Sequence, residues 1–105
     1  MQAKLEITLE NVTNDMHKIR AMLKNYGVSS SVEYPGFLVI DAGDRELHAG
    51  YSYDYDESTN GEIFQLYDFT NGYNHAFSVT FETKGDLQLT ALTLSNRVKE
   101  YIATL

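Results

Sequence analysis

A chain of 105 residues, 43% of them hydrophobic, is long enough to bury one modest core, which predicts a single domain over residues 1–105. It contains no cysteine, so disulfides, thiolate metal sites and cysteine nucleophiles are excluded. The formal net charge of −7 argues against direct phosphate contact with nucleic acid, which needs clustered Lys and Arg to displace counterions.

The first segment, residues 3–9, alternates Ala3, Leu5, Ile7 and Leu9 with Lys4, Glu6 and Thr8, the period of a half-buried strand. Its early charges do not fit a signal peptide and no apolar run approaches a membrane span, so a cytoplasmic protein without membrane contact is expected. From Val12 the period changes. Val12, Met16, Ile19, Leu23 and Tyr26 step by three or four and predict a helix, with Asn11, Thr13 or Asn14 as its cap. Gly27 supplies the left-handed residue that ends it, and Val28 is placed to pack back on the last turn.

Short strand-like runs follow. Tyr34-Pro35-Gly36-Phe37 reads as a type II turn between strands at 29–34 and 37–41. Asp41-Ala42-Gly43-Asp44 is the next turn. Further runs at 45–55, 62–70 and 75–83 are separated by Asn60-Gly61, Asn71-Gly72 and Lys84-Gly85, and Asn-Gly between alternating segments is a hairpin signal. Gly50, inside a strand pattern, suggests a bulge or sharp twist. In the last segment Leu87, Ala91, Leu94, Val98, Ile102 and Leu105 share a helical face, so residues 86–104 predict a helix capped by Asp86. The expected fold is α+β, an antiparallel sheet of about five to six strands with an N-terminal-region helix and a C-terminal helix packed on one face, in the order β-α-β-β-β-β-β-α.

Charge is distributed unevenly along these elements. Residues 41–68 hold Asp41, Asp44, Glu46, Asp54, Asp56, Glu57, Glu62 and Asp68 against the single base Arg45, and acids and bases balance elsewhere. Such a window favours a basic partner surface or a cation. Within it, alternation puts Leu47, Ala49, Tyr51, Tyr53 and Tyr55 on one face and His48, Ser52, Asp54 and Asp56 on the other. Tyrosines bring large apolar area, a polar handle and few rotors to interfaces, or they cover the sheet beneath a helix. Carboxylates two apart on a strand are about 6.6–6.8 Å apart, matching about 6.8 Å for two phosphate steps of one DNA strand. A row of them can imitate phosphates, although exposed acids also serve solubility and protect sheet edges.

Chemistry beyond binding finds little support. His17, His48 and His75 show no metal-site spacing, Ser29-Ser30-Ser31 lacks the glycines of a nucleophile elbow, and no glycine-rich phosphate loop is present. The run Asp54 to Glu62 is rich in oxygen ligands, but counting from Asp54 puts Thr59 and Gln65 where a calcium loop needs glycine and glutamate. A non-catalytic protein without cofactor or metal is therefore expected.

The leading expectation is an inhibitor that occupies the basic nucleic-acid-binding surface of a partner protein. Its contact residues would be Asp44, Glu46, Tyr51, Tyr53, Asp54, Tyr55, Asp56, Glu57, Glu62, Tyr67, Asp68 and Tyr73. By analogy of charge alone, small acidic anti-restriction, anti-CRISPR and immunity proteins work in this way. The competing expectations are a homodimer joined through the tyrosine strand, and a small-molecule-binding domain or enzyme with a pocket between the sheet and the C-terminal helix.

Overall fold

The computed structural model describes residues 9–33, 36–51, 63–70, 77–83 and 85–105. Its elements are α1 (Leu9–Asn25), β1 (Ser30–Glu33), β2 (Phe37–Ala42), β3 (Arg45–Tyr51), β4 (Ile63–Asp68), β5 (Ser78–Glu82) and α2 (Leu87–Ala103). The strand expected over 3–9 lies outside the described residues except at Leu9, which already belongs to α1. The helix therefore starts earlier than its apolar stripe suggested, and Asn11, Thr13 and Asn14 sit inside its first turns rather than capping it.

Both helices form because an apolar stripe must be buried, and the C-terminal end of α1 and both ends of α2 are satisfied. Val12, Met16, Ile19 and Leu23 of α1 are buried. At the end of α1, Val28 N–H donates to Leu23 O at 2.9 Å and Gly27 N–H to Lys24 O at 3.1 Å, with Gly27 at φ 81. This pair of bonds satisfies two end carbonyls, and buried Val28 covers the last turn. In α2, Asp86 Oδ1 accepts from Leu89 N–H at 3.0 Å, as the sequence indicated. Ala91, Leu94 and Val98 are its buried apolar residues.

The five strands form one antiparallel sheet in chain order, β1-β2-β3-β4-β5. Its first hairpin closes one residue earlier than expected, since Gly36 N–H donates to Glu33 O at 2.8 Å and Glu33 pairs with Phe37. Gly36 thus closes the turn immediately before β2 instead of occupying its centre. Its φ of 139 suits glycine, and a Cβ there would come within 2.7 Å of Val12 Cγ1, so the hairpin tip packs directly on α1. The next loop is the two residues Gly43-Asp44, with Ala42 opposite Arg45. Asp41 Oδ1 accepts from Gly43 N–H across it. Gly50 makes no bulge, for it pairs in register with Gln65; its missing side chain leaves room for Phe37, whose Cβ would lie 3.3 Å from an added methyl.

One face of the sheet meets the helices. Leu38 and Ile40 of β2, Leu47, Ala49 and Tyr51 of β3, and Phe64 and Leu66 of β4 are all buried there in one cluster with α1 and α2. Phe77, Val79 and Phe81 lie on the same face but are half-buried, because β5 is the sheet's last strand. Phe64→Ala should therefore cost about 3–5 kcal/mol in denaturant unfolding, and Phe81→Ala about half as much. An equal loss at both positions would contradict this assignment of the core.

Candidate functional site

Strand alternation that buries one face leaves the other open. Cross-strand register sets Ser31, Val39, His48, Tyr67 and Ser78 in one row across that face. A second row runs through Glu33, Phe37, Gly50, Gln65 and Thr80. No described helix covers these rows, yet His48 at the centre is only 8% exposed. Rings provide the cover: Phe69 stacks on His48 with centroids 4.3 Å apart, Phe37 lies tilted at 5.0 Å, and Tyr67 meets it edge-on at 5.7 Å. Phe37, Tyr67 and Phe69 remain half-buried, so part of each ring faces solvent.

Acids flank this ring cluster. Asp41 lies directly opposite Glu46 across β2 and β3, both exposed, and like charges in that position oppose each other. Glu46 Oε2 is 2.8 Å from His48 Nε2. Asp44 is exposed in the adjoining turn, and Glu33 and Glu82 are exposed on the same face at its two outer strands. Bases lie elsewhere. Among the described residues, every Lys and Arg except Arg45 is on a helix: Lys18, Arg20 and Lys24 on α1, Arg97 and Lys99 on α2, all exposed. Among the described residues the open sheet face is thus acidic without a base, while the helices carry both signs, five bases against Glu10, Asp15 and Glu100.

The expected contact residues divide accordingly. Asp44, Glu46 and Tyr67 are brought together on or beside the open face. Tyr53, Asp54, Tyr55, Asp56, Glu57, Glu62 and Tyr73 lie outside the described residues. Two belong to the interior instead. Tyr51, 7% exposed, faces the core, packs edge-on against Phe64 and donates its hydroxyl to Asp15 Oδ2 at 2.8 Å.

Asp68, with no exposed surface, is the second correction: it sits on the core face because it follows Phe64 and Leu66 at a spacing of two. It accepts from Tyr101 Oη at 2.6 Å and from Thr70 N–H at 2.8 Å, and Arg45 Nη1 lies 3.5 Å away. Burial pushes its pKa up, but the hydrogen bonds from Thr70 and Tyr101 and the Arg45 charge outweigh burial and hold it below the usual carboxylate value. The bond to Asp68, with burial and the carboxylate charge, in turn raises the Tyr101 pKa. Asp68 is therefore a structural anion and adds nothing to the acidic surface.

Sequence reasoning missed Phe37, His48 and Phe69 as parts of the site. Alternation did place His48 opposite Leu47 and Ala49, but only the strand register reveals which rings surround it. An open depression of about 500 Å3 adjoins the site, lined by Ser29–Ser31, Asp41, Asp44–Glu46 and Thr70 among others. It lies at the end of β1–β3 and not between the sheet and α2, where Phe64, Leu66, Leu94 and Val98 are fully packed. Among the described residues, no three His, Asp or Glu side chains converge as metal ligands, and no helix is long and apolar enough to cross a membrane.

The chain matches no known family model, and no characterised protein or solved structure shows significant similarity to it.

The Asp68 cluster sets a pH dependence. Above the ordinary value of 3.8 the carboxylate is ionised in folded and unfolded chains alike, so its stabilisation is fully present. Below 3.8 the unfolded chain protonates first, and the advantage is lost as pH falls through the lower folded value. Asp68→Asn loses the charge and keeps an acceptor for only one of Tyr101 Oη and Thr70 N–H, which use different oxygens; it should be less stable than wild type at neutral pH by about 1–3 kcal/mol. Urea midpoints should show this gap narrowing on acidification, and a constant gap would refute the assignment.

Proposed function

We propose that this chain is a non-catalytic binding protein that presents the open face of its sheet to a basic surface of a partner protein. The partner we favour is a nucleic-acid-binding enzyme or effector in the cytoplasm, whose phosphate-binding Lys and Arg groups the acids would occupy. The observation that carries this reading is that the open sheet face bears acids and no described base, while every described Lys and Arg but Arg45 lies on a helix. Solubility alone is served by interspersing both signs, and the direct opposition of Asp41 and Glu46 costs stability that a cation would return. A field of one sign on one face also orients the encounter and speeds association with an oppositely charged surface.

The half-buried rings of Phe37, Tyr67 and Phe69 favour a second reading, a homodimer through the same face. A two-fold interface, however, brings identical patches together, so it would set Glu33, Asp41, Glu46 and Glu82 of each copy against those of the other. Charge weighs toward a cationic partner and against self-association.

The triple variant Asp41→Asn/Asp44→Asn/Glu46→Gln tests the proposal. Its stability should change by no more than about 1 kcal/mol, since these charges are exposed. Surface plasmon resonance against purified basic nucleic-acid-binding proteins should show wild-type affinity dropping at least about ten-fold as salt rises from about 0.05 M to about 0.5 M. The triple variant should bind weakly at every salt concentration. Replacing Asp54, Asp56 and Glu57 by Ser extends the measurement to the acidic run beyond the described residues. Undiminished binding by all these variants, or affinity indifferent to salt, would remove the electrostatic basis of the proposal.

A further inference from the structure

We infer that the open face selects arginine over lysine in its partner, receiving a guanidinium between the Asp41 and Glu46 carboxylates and the ring cluster around His48. This rests on the reading of the open face as a cation-binding surface and names the side chain it takes.

Three features of the site converge on that choice. The first is the carboxylate pair. Side chains directly opposite on neighbouring strands start about 5 Å apart, close enough for one planar cation to reach both. Asp41 spends Oδ1 on Gly43 N–H and Glu46 spends Oε2 on His48 Nε2. Asp41 Oδ2 and Glu46 Oε1 have no partner among the described residues, which leaves one acceptor on each side of the pair. A guanidinium has five donors fixed in one plane and can bridge two such acceptors, whereas an ammonium is a compact, strongly hydrated point charge.

The second feature is the ring surface. His48 lies two residues from Glu46 along β3, about 6.7 Å away, and Phe69 is stacked upon it. Phe37 and Tyr67 complete an aromatic patch that is still partly open. Arginine stacks its plane on such rings and tolerates the loss of water that this entails, which lysine does less readily.

The third is rigidity. Glu46 N–H donates to Thr70 Oγ1 at 2.8 Å and Glu46 O accepts from Phe69 N–H at 2.8 Å. Backbone bonds thus hold the acid and the stacked ring together before any ligand arrives, so little ordering remains to be done on binding.

The test uses the full chain with fluorescein-labelled arginine and lysine homopeptides of equal length, in fluorescence anisotropy at two salt concentrations. Wild type should bind the arginine peptide about three- to five-fold more tightly, the range a partly exposed cation–π contact provides. Phe37→Leu and Tyr67→Leu, made separately so that a folding defect in one leaves the other informative, should bring the two peptides to parity, arginine affinity falling more than lysine affinity. Asp41→Asn should weaken both peptides. In wild type, the arginine peptide should also shift the His48 Hε1 proton resonance more than the lysine peptide does. Equal affinities in wild type, or a preference that survives both leucine variants, would overturn the arginine assignment and leave the cation-binding reading standing. Binding of neither peptide would overturn both. Sedimentation showing a salt-resistant dimer that Tyr67→Leu dissolves would also overturn both, since the rings would then bury against a second copy.

Discussion

The buried carboxylate of Asp68 ties the two faces of this sheet together. On the core side it holds Tyr101 of α2 and faces Arg45 of β3, while its other oxygen fixes the backbone of Thr70. Thr70 then turns its hydroxyl to the Glu46 amide, and the intervening Phe69 bonds to the Glu46 carbonyl. An interior anion thereby determines where an exposed acid and a stacked ring stand on the opposite surface. The arrangement is stable because the charge is taken from water only where several donors replace the water it loses.

Periodicity made the fold readable. An apolar stripe stepping by three or four needs no partner to be recognised, so both helices, the Gly27 termination and the Asp86 cap followed from sequence. The five antiparallel strands were equally legible, although the Asn60-Gly61 and Asn71-Gly72 turns lie outside the described residues. What failed were features that depend on which neighbour a residue meets. Asp68 looked like one more member of an acidic run, although its spacing from Phe64 and Leu66 already placed it inward. Tyr51 shared a face with Leu47 and Ala49, and the helices chose that face as the core. The one-residue difference in the first turn involves Gly36, which lies against Val12, a contact between segments far apart in sequence.

The open face was the least legible part. Composition located the excess charge in the chain but not in space, and the coincidence of Phe37, His48, Tyr67 and Phe69 exists only once three strands are in register. Phe37 also shows why a residue without a side chain stands next to last in β3: an added Cβ at Gly50 would meet Phe37 Cβ at 3.3 Å. A face built from rings and carboxylates, backed by helices that hold all the described bases but Arg45, gives the molecule a direction. Long-range fields orient it, while short-range ring contacts distinguish one cation from another.

The order of the strands has a consequence for how the chain reaches this state. Each strand pairs with the one before it, so the sheet can zip by successive hairpins, each closing a loop of modest entropy. Packing of α2 on α1 is different, because it unites segments separated by the entire meander. The largest loop-closure cost of the fold thus falls on the meeting of its two helices, which seals a sheet whose strands are joined by nearest-neighbour pairings alone.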